Sequence, residues 1–397
     1  MRRIRIDERR ARLGLRHHLA DAARAMDVSE VARDLVGLHA TDPASAVIAA
    51  WARSRAPVDG ELGRALYEER SLVRILGMRR TMFVLPVELA AIVQAACTQA
   101  IAVRERRRLV QVLNQAGIPA DGDPVRTAGA WLEEVEQAAL RALAARGEAT
   151  TAELAGDEPR LREQIVLAEG RRYQARQSVA ARVLFLLAAE GRVIRGRPRG
   201  SWTSGLNRWA PMDAWLPGGL AAWPADIARA ELARRWLAAF GPGSAADLRW
   251  WTGWTVAEAG RALAQVRPAE VELDEGPGLV LAEDLERVAP SDPWAALLPG
   301  LDPTVMGWSS RTWFLGPHGP ALFDRTGNAG PTVWWDGHVV GGWAQRKDGE
   351  IALRLLEDLG ADGVAAVEAA ADRLHGCLAQ VRVVPRFRTP LERELSA

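Results

Sequence analysis

The apolar positions of residues 28–38 (VSEVARDLVGL) fall at Val28, Val31, Leu35 and Leu38, the spacing of an amphipathic helix. The polar run His39–Ala40–Thr41–Asp42 breaks that pattern. Asp42 before Pro43 is a natural helix start, the carboxylate as N-cap and the proline at the first helical position, so ASAVIAAWARS continues as a second helix. After a turn around Pro57–Gly60, ELGRALYEERSLV reads as a further amphipathic helix. Residues 73–84 (VRILGMRRTMFV) read as a strand with a basic step at Arg79–Arg80, and PVELAAIVQAACTQAIAVRERRRLVQVL returns to helix.

Residues 131–146 form a strong helix ending at Gly147, and Thr150–Leu154 opens the next. SVAARVLFLLAAE is then a helix stopped by Gly191. Val193–Arg195 and Ser201–Trp209 pair across the link Gly196–Gly200. Helix, turn, helix and hairpin is the order of a winged helix. The order recurs, as pattern rather than as sequence repeat, in ARAELARRWLAAFG, GSAADLRWWTGW and TVAEAGRALAQV, the last with Thr255 and Glu258 as a capping box. VELDEGPGLVLAED supplies the hairpin. From about Ala289, Pro, Gly and Trp punctuate short β-type runs: LLPGLDPTVMGW, TWFL, ALFD, TVWWDGHVVGGWA and EIALRLLED. Asp336–Gly337 is a hairpin turn, and a helix at Ala361–Ala379 with the strand-like VRVVPRF closes the unit. The expected fold is α+β: tandem winged-helix modules (helix-turn-helix plus β-hairpin) and a β-rich C-terminal unit, divided as 1–125, 126–215, 222–288 and 289–397.

Composition narrows the chemistry. The 397 residues are 48% hydrophobic and 25% charged, as in a globular chain, and 51 basic against 50 acidic residues leave a net charge of +1 that announces no partner. Lys347 is the only lysine, which leaves Schiff-base chemistry that residue or the N-terminal amine. The two cysteines, Cys97 and Cys377, make neither a disulfide scaffold nor a cysteine-based metal site. His17–His18 are adjacent and His318, His338 and His375 lack a ligand cluster, so no metal and no cofactor are expected. Walker, dinucleotide and G-x-S-x-G signatures are missing. No window reads as a signal peptide or a membrane span, and a cytoplasmic protein without an obligate protein partner is expected.

Two features offer chemistry. Arg195, Arg197 and Arg199 sit at or beside a wing tip, where guanidinium groups reach phosphates or a minor groove. His39, Thr41 and Asp42 place three polar side chains where packing would otherwise continue: a histidine that exchanges protons near neutrality, a hydroxyl and a carboxylate. Set against these are ordinary surface arginines, a core histidine and an Asp-Pro cap. Arg104–Arg108 reads as a solvated helix face.

LVGLHATDPASAVIAAWAR, MRRTMFV, LLPGLDPTVMGW and FDRTGNAGPTVWWDGHVVGGW together resemble the winged-helix DNA-binding superfamily that includes the AlkZ- and YcaQ-like DNA glycosylases. The resemblance implies tandem winged helices around a basic concave surface. It also implies hydrolysis of the N-glycosidic bond of bulky N7-alkylated purines in double-stranded DNA, for repair or self-resistance. The family's motif of Gln (His in some members), an apolar residue, then Gln or Asp falls on His39, Ala40 and Thr41, which makes His39, Thr41 and the neighbouring Asp42 the catalytic candidates. Threonine departs from that motif, and Phe83 stands where the family has a histidine. Arg79, Arg80, Thr81, Arg195, Arg197, Arg199, Arg325 and Asn328 are the DNA-binding candidates. The competing readings are a non-catalytic winged-helix DNA binder, for damage recognition or transcriptional regulation, and a ligand-binding β-rich end around Trp334, Trp335 and Trp343.

Overall fold

A computed structural model describes residues 1–58, 60–119, 127–167 and 174–397. Three times the chain runs through helix, one extended crossing, two helices and a hairpin. In the first module these are Val28–Asp34, Leu38–His39, Pro43–Trp51, Glu61–Tyr67, and the strands Leu72–Leu76 and Met82–Pro86. The last strand lies in the middle of the sheet, pairing antiparallel with both others (Leu38↔Val84, His39↔Phe83; Val73↔Leu85, Ile75↔Phe83). The second module has helices Ala128–Arg146, Thr151–Asp157 and Val179–Ala189 and the hairpin Val193–Pro198/Asn207–Pro211. Its crossing has shrunk to one bridge, Ala149↔Trp209. The third has helices Ala225–Phe240, Ala245–Thr252 and Val256–Val266, the hairpin Ala269–Leu273/Gly276–Val280, and the single bridge Gly243↔Leu279. These are winged helices in tandem. The C-terminal part is an antiparallel meander (Ala295–Leu298, Thr332–Trp335, His338–Gln345, Ile351–Leu355) covered by the helix Gly360–Leu378.

Four readings of the sequence need correction. Residues 73–84 are a hairpin rather than one strand: the chain reverses at Met78–Arg80, where Arg79 and Arg80 both take left-handed backbone angles (φ +51° and +63°), so the basic step is a turn. TWFL and ALFD are single helical turns, Thr312–Leu315 and Gly319–Leu322, and VRVVPRF joins no strand. The 1–125 unit fails at its beginning, because Arg2–Arg3 pairs parallel with the third module's strand (Arg2↔Val271) and Ile4 packs on Val271, Leu273 and Val280. Finally, the helical stretch Val87–Gln115 has the length and apolarity of a membrane span, but 67% of its apolar window is buried inside the protein, as in a core helix.

Tryptophan builds the largest core. Trp236, Trp251, Trp254, Trp294, Trp308, Trp313 and Trp334 join Phe240 and Phe314 in one cluster linking the third module to the C-terminal sheet. Trp334 and Trp343 are buried with satisfied indole N–H groups, donating to Thr332 Oγ1 (2.9 Å) and the Leu298 carbonyl (2.9 Å). They are packing residues, which removes the support for a ligand site there. One buried ion pair ties the first module to LLPGLDPTVMGW: all five Arg53 N–H groups have acceptors, two of them the carboxylate oxygens of Asp302 (2.7 and 2.9 Å). Ser45 Oγ adds a bond to the Gly300 carbonyl (2.6 Å).

Candidate active site and nucleic-acid interface

The crossing of the first module is held from both sides. Gly37 (φ +105°) turns the chain out of its first helix, Leu38 and His39 pair with Val84 and Phe83, and the Ala40 N–H reaches the Met82 carbonyl (2.7 Å). His39 is thereby fixed on the first sheet with its ring tilted on that of Phe83, centroids 5.1 Å apart. It is buried, and its Nδ1 has no hydrogen-bond partner among the described residues. Burial and then the nearby Arg79 charge push its pKa down to about 3. At pH 7 the imidazole is therefore neutral, with one donor nitrogen and one acceptor nitrogen. Such a ring orients a water molecule; it does not protonate a leaving group.

Thr41 Oγ1 accepts the Met82 N–H (3.1 Å) and keeps its own hydrogen for donation. Asp42 is otherwise engaged: Oδ1 caps the following helix at the Ala44 N–H (3.1 Å) and Oδ2 accepts the Arg386 N–H (2.9 Å). Both carboxylate oxygens serve the backbone, which gives Asp42 a structural task at the helix start and at Arg386.

Arginines that form no ion pair among the described residues lie near this loop, Arg79 acting on His39 and Arg311 in turn on Arg79. Arg79 and Arg311 both lie over the Trp250 ring, at 3.9 and 4.6 Å from its centroid, and Arg311 also covers Phe323 at 4.8 Å. Neither makes an ion pair among the described residues, and burial pulls each pKa down to about 10, that of Arg79 further through Arg311. Arg195 behaves likewise, pushed to about 10 by burial and then by Arg74 and Arg386, with its guanidinium 5.4 Å from the Trp209 centroid. Arg74, Arg311 and Arg386 escaped the sequence reading. Arg74 is a charge inside the apolar run LVRIL, which was a visible oddity; the other two carry no local signal.

The remaining candidates scatter. Arg80 pairs with Glu105 (2.9 Å) over Phe185, and Thr81 Oγ1 donates to the Met78 carbonyl (2.8 Å) within the same turn. Arg197 pairs with Glu68 (2.8 Å) over Tyr67, while Arg199 is exposed in the link between the hairpin's strands. Arg325 is exposed in the turn after Phe323. The Asn328 amide closes that turn onto Asp324 and Thr326 (2.9 Å each), which leaves Arg325 the free member of the two. Among the described residues His18, Glu30 and Asp34 approach as metal ligands would. However, His18 Nδ1 faces the Ala23 carbonyl and Nε2 the Asp34 carboxylate, so both nitrogens donate and no lone pair is left for a metal.

Comparisons with known proteins bear on the fold and the family. A family model described as DNA glycosylase AlkZ-like matches residues 32–377. The solved structure of the Streptomyces sahachiroi DNA glycosylase AlkZ superposes with a TM-score of 0.73 at 20% identity, over 96% of this chain and 98% of that one. No curated protein sequence matches. A match that starts within the first helix of the first module and runs to the end of the helix Gly360–Leu378 takes in the crossing, the hairpins of all three modules and the meander, and the chain belongs to the AlkZ-like DNA glycosylase family.

Proposed function

We propose that the chain is a monofunctional DNA glycosylase that hydrolyses the C1′–N9 bond of N7-alkylated purines in duplex DNA. The observation that carries this reading is His39: a neutral, buried imidazole with an unpartnered nitrogen, held on a strand beside Arg79, which forms no ion pair among the described residues. An N7-alkylated purine already bears a positive charge, so it departs with the bond's electron pair as a neutral base and needs no general acid. The sugar becomes oxocarbenium-like, water adds at C1′, and its proton passes to solvent. What the protein must supply is position and polarity. His39 and Thr41 stand two residues apart and border the same stretch of the neighbouring strand, His39 opposite Phe83 and Thr41 Oγ1 on the Met82 N–H. The acceptor nitrogen of His39 orients the attacking water and the Thr41 hydroxyl offers it a second contact.

Duplex DNA bearing N7-methylguanine, with free base and alkali-labile sites measured over time, tests this. The wild-type protein releases base, and His39→Ala slows release about 100-fold, the scale of a lost orienting group. Asp42→Asn retains the rate per folded molecule, because its oxygens cap the backbone. Absence of release by the wild type overturns the reading. It would favour a DNA-binding protein without hydrolysis, the reading that Thr41 in place of a carboxamide or carboxylate supports. Lys347 is exposed between the last two strands of the meander, so borohydride is expected to trap no covalent protein–DNA adduct during turnover; a trapped adduct would make the enzyme a lyase.

A further inference from the structure

We propose that Arg74, Arg195 and Arg386 form a phosphate site that clasps one backbone phosphodiester of the duplex against the His39–Asp42 loop. The choice of DNA as the source of that phosphate rests on the glycosylase reading. The three guanidinium groups come from a strand of the first module, the hairpin of the second and the C-terminal segment, far apart in sequence. Arg74, buried between Val73 and Ile75, donates Nη2 to the Ala40 carbonyl (2.6 Å) and Nη1 to Asn207 Oδ1 (3.1 Å), at the start of the strand that pairs with that of Arg195. Arg386 reaches the next loop carbonyl, that of Thr41 (3.4 Å). The Nε atoms of Arg74 and Arg195 are buried without a partner.

Three other buried arginines are neutralised, Arg9 by Glu275, Arg12 by Glu8 and Asp284, and Arg53 by Asp302, while Arg79 and Arg311 lie over the Trp250 ring. Among the described residues none of Arg74, Arg195 and Arg386 forms an ion pair. Asp42, the acid whose charge acts on Arg74, spends both oxygens on backbone N–H groups. Arg74 is buried and Arg195 half-buried, with the exposed Arg386 beside them, and crowding like charges there is costly unless an anion completes the set. Guanidinium forks with free N–H groups match the oxygens of a phosphodiester. The exposed Arg199 continues the same hairpin outward, the course a nucleic-acid backbone would follow.

The consequence for the reaction is electrostatic. Uncompensated cations beside the loop would oppose the positive charge that develops on the sugar. A phosphodiester seated between them cancels that field, and the arginines that hold it also hold the carbonyls of Ala40 and Thr41, so the gripped backbone and the reacting loop are set in one frame.

The test uses the full chain and a duplex oligonucleotide without a lesion, with affinity followed by fluorescence anisotropy across a salt series. Arg195→Gln is expected to weaken binding roughly tenfold at low salt and to make the plot of log affinity against log salt shallower by about one phosphate contact, while Arg195→Lys restores the slope. In a scan of single methylphosphonate substitutions, one position that weakens the wild type adds nothing to Arg195→Gln. Arg74→Gln, checked for folding by thermal melting, repeats the pattern; if it does not fold, Arg195→Gln carries the test. An unchanged slope, or methylphosphonate penalties the same in wild type and Arg195→Gln at every position, overturns the proposal. Because no base release enters, failure of the glycosylase reading leaves this result intact, and the converse holds.

Discussion

A histidine that stays neutral down to about pH 3 has different uses from one that titrates near neutrality. His39 is protonated in the unfolded chain below about pH 6.5 but not in the folded one, so the unfolded state binds the extra proton throughout the interval between. Its contribution to stability is complete above about pH 6.5 and is lost as the pH falls toward 3. His18 runs the opposite way: its pKa is raised, desolvation being outweighed by the bonds to Asp34 and the Ala23 carbonyl. That contribution is present below about pH 6.5 and lost as the pH rises through its folded value. Denaturant melts of His39→Gln and the wild type at pH 7 and pH 4 separate the two: the stability difference between the two pH values is expected to shrink in the variant, and an equal difference would return His39 to contact with bulk water. At this scale the sequence was informative where chemistry is local. An aspartate before a proline announces a cap, and Asp42 is one. It was silent where a role depends on remote neighbours: nothing near Arg386 in the chain says that its N–H will meet Asp42.

Elements were legible in proportion to their length. The long helices and the two later hairpins stand close to their expected places, because periodicity over ten residues outweighs local accidents. Short apolar runs did not carry that weight. TWFL and ALFD have strand-like composition, yet each closes one helical turn because Trp313, Phe314 and Leu322 face one buried cluster. The 73–84 reversal was hidden because Gly77 and two arginines make a turn without the usual Asn-Gly or Asp-Gly signature. The contact of LLPGLDPTVMGW with the first module is a stability matter as well. Arg53→Ala strands the Asp302 carboxylate in a site with no exposure, and a loss of about 3–5 kcal/mol is expected in denaturant melts. A loss under 1 kcal/mol would mean that water reaches the pair.

For the whole molecule, both ends of the chain pack on modules remote in sequence: residues 2–4 on the third hairpin, and the segment around Arg386 on the crossing of the first. Pattern reading finds modules in order, and such returns are invisible to it because they join residues hundreds of positions apart. The repeated topology nevertheless allots unequal work. The crossing of the first module carries His39, whereas the single bridges of the second and third modules are made by Ala149 and Gly243. Ala149 is sealed from solvent, and a single Cβ on Gly243 would come within 2.5 Å of the Trp236 ring. Neither copy has room for a reactive side chain at that point. Of the three crossings, the first alone carries an ionisable side chain at a paired position, so the repeated topology does not repeat a site.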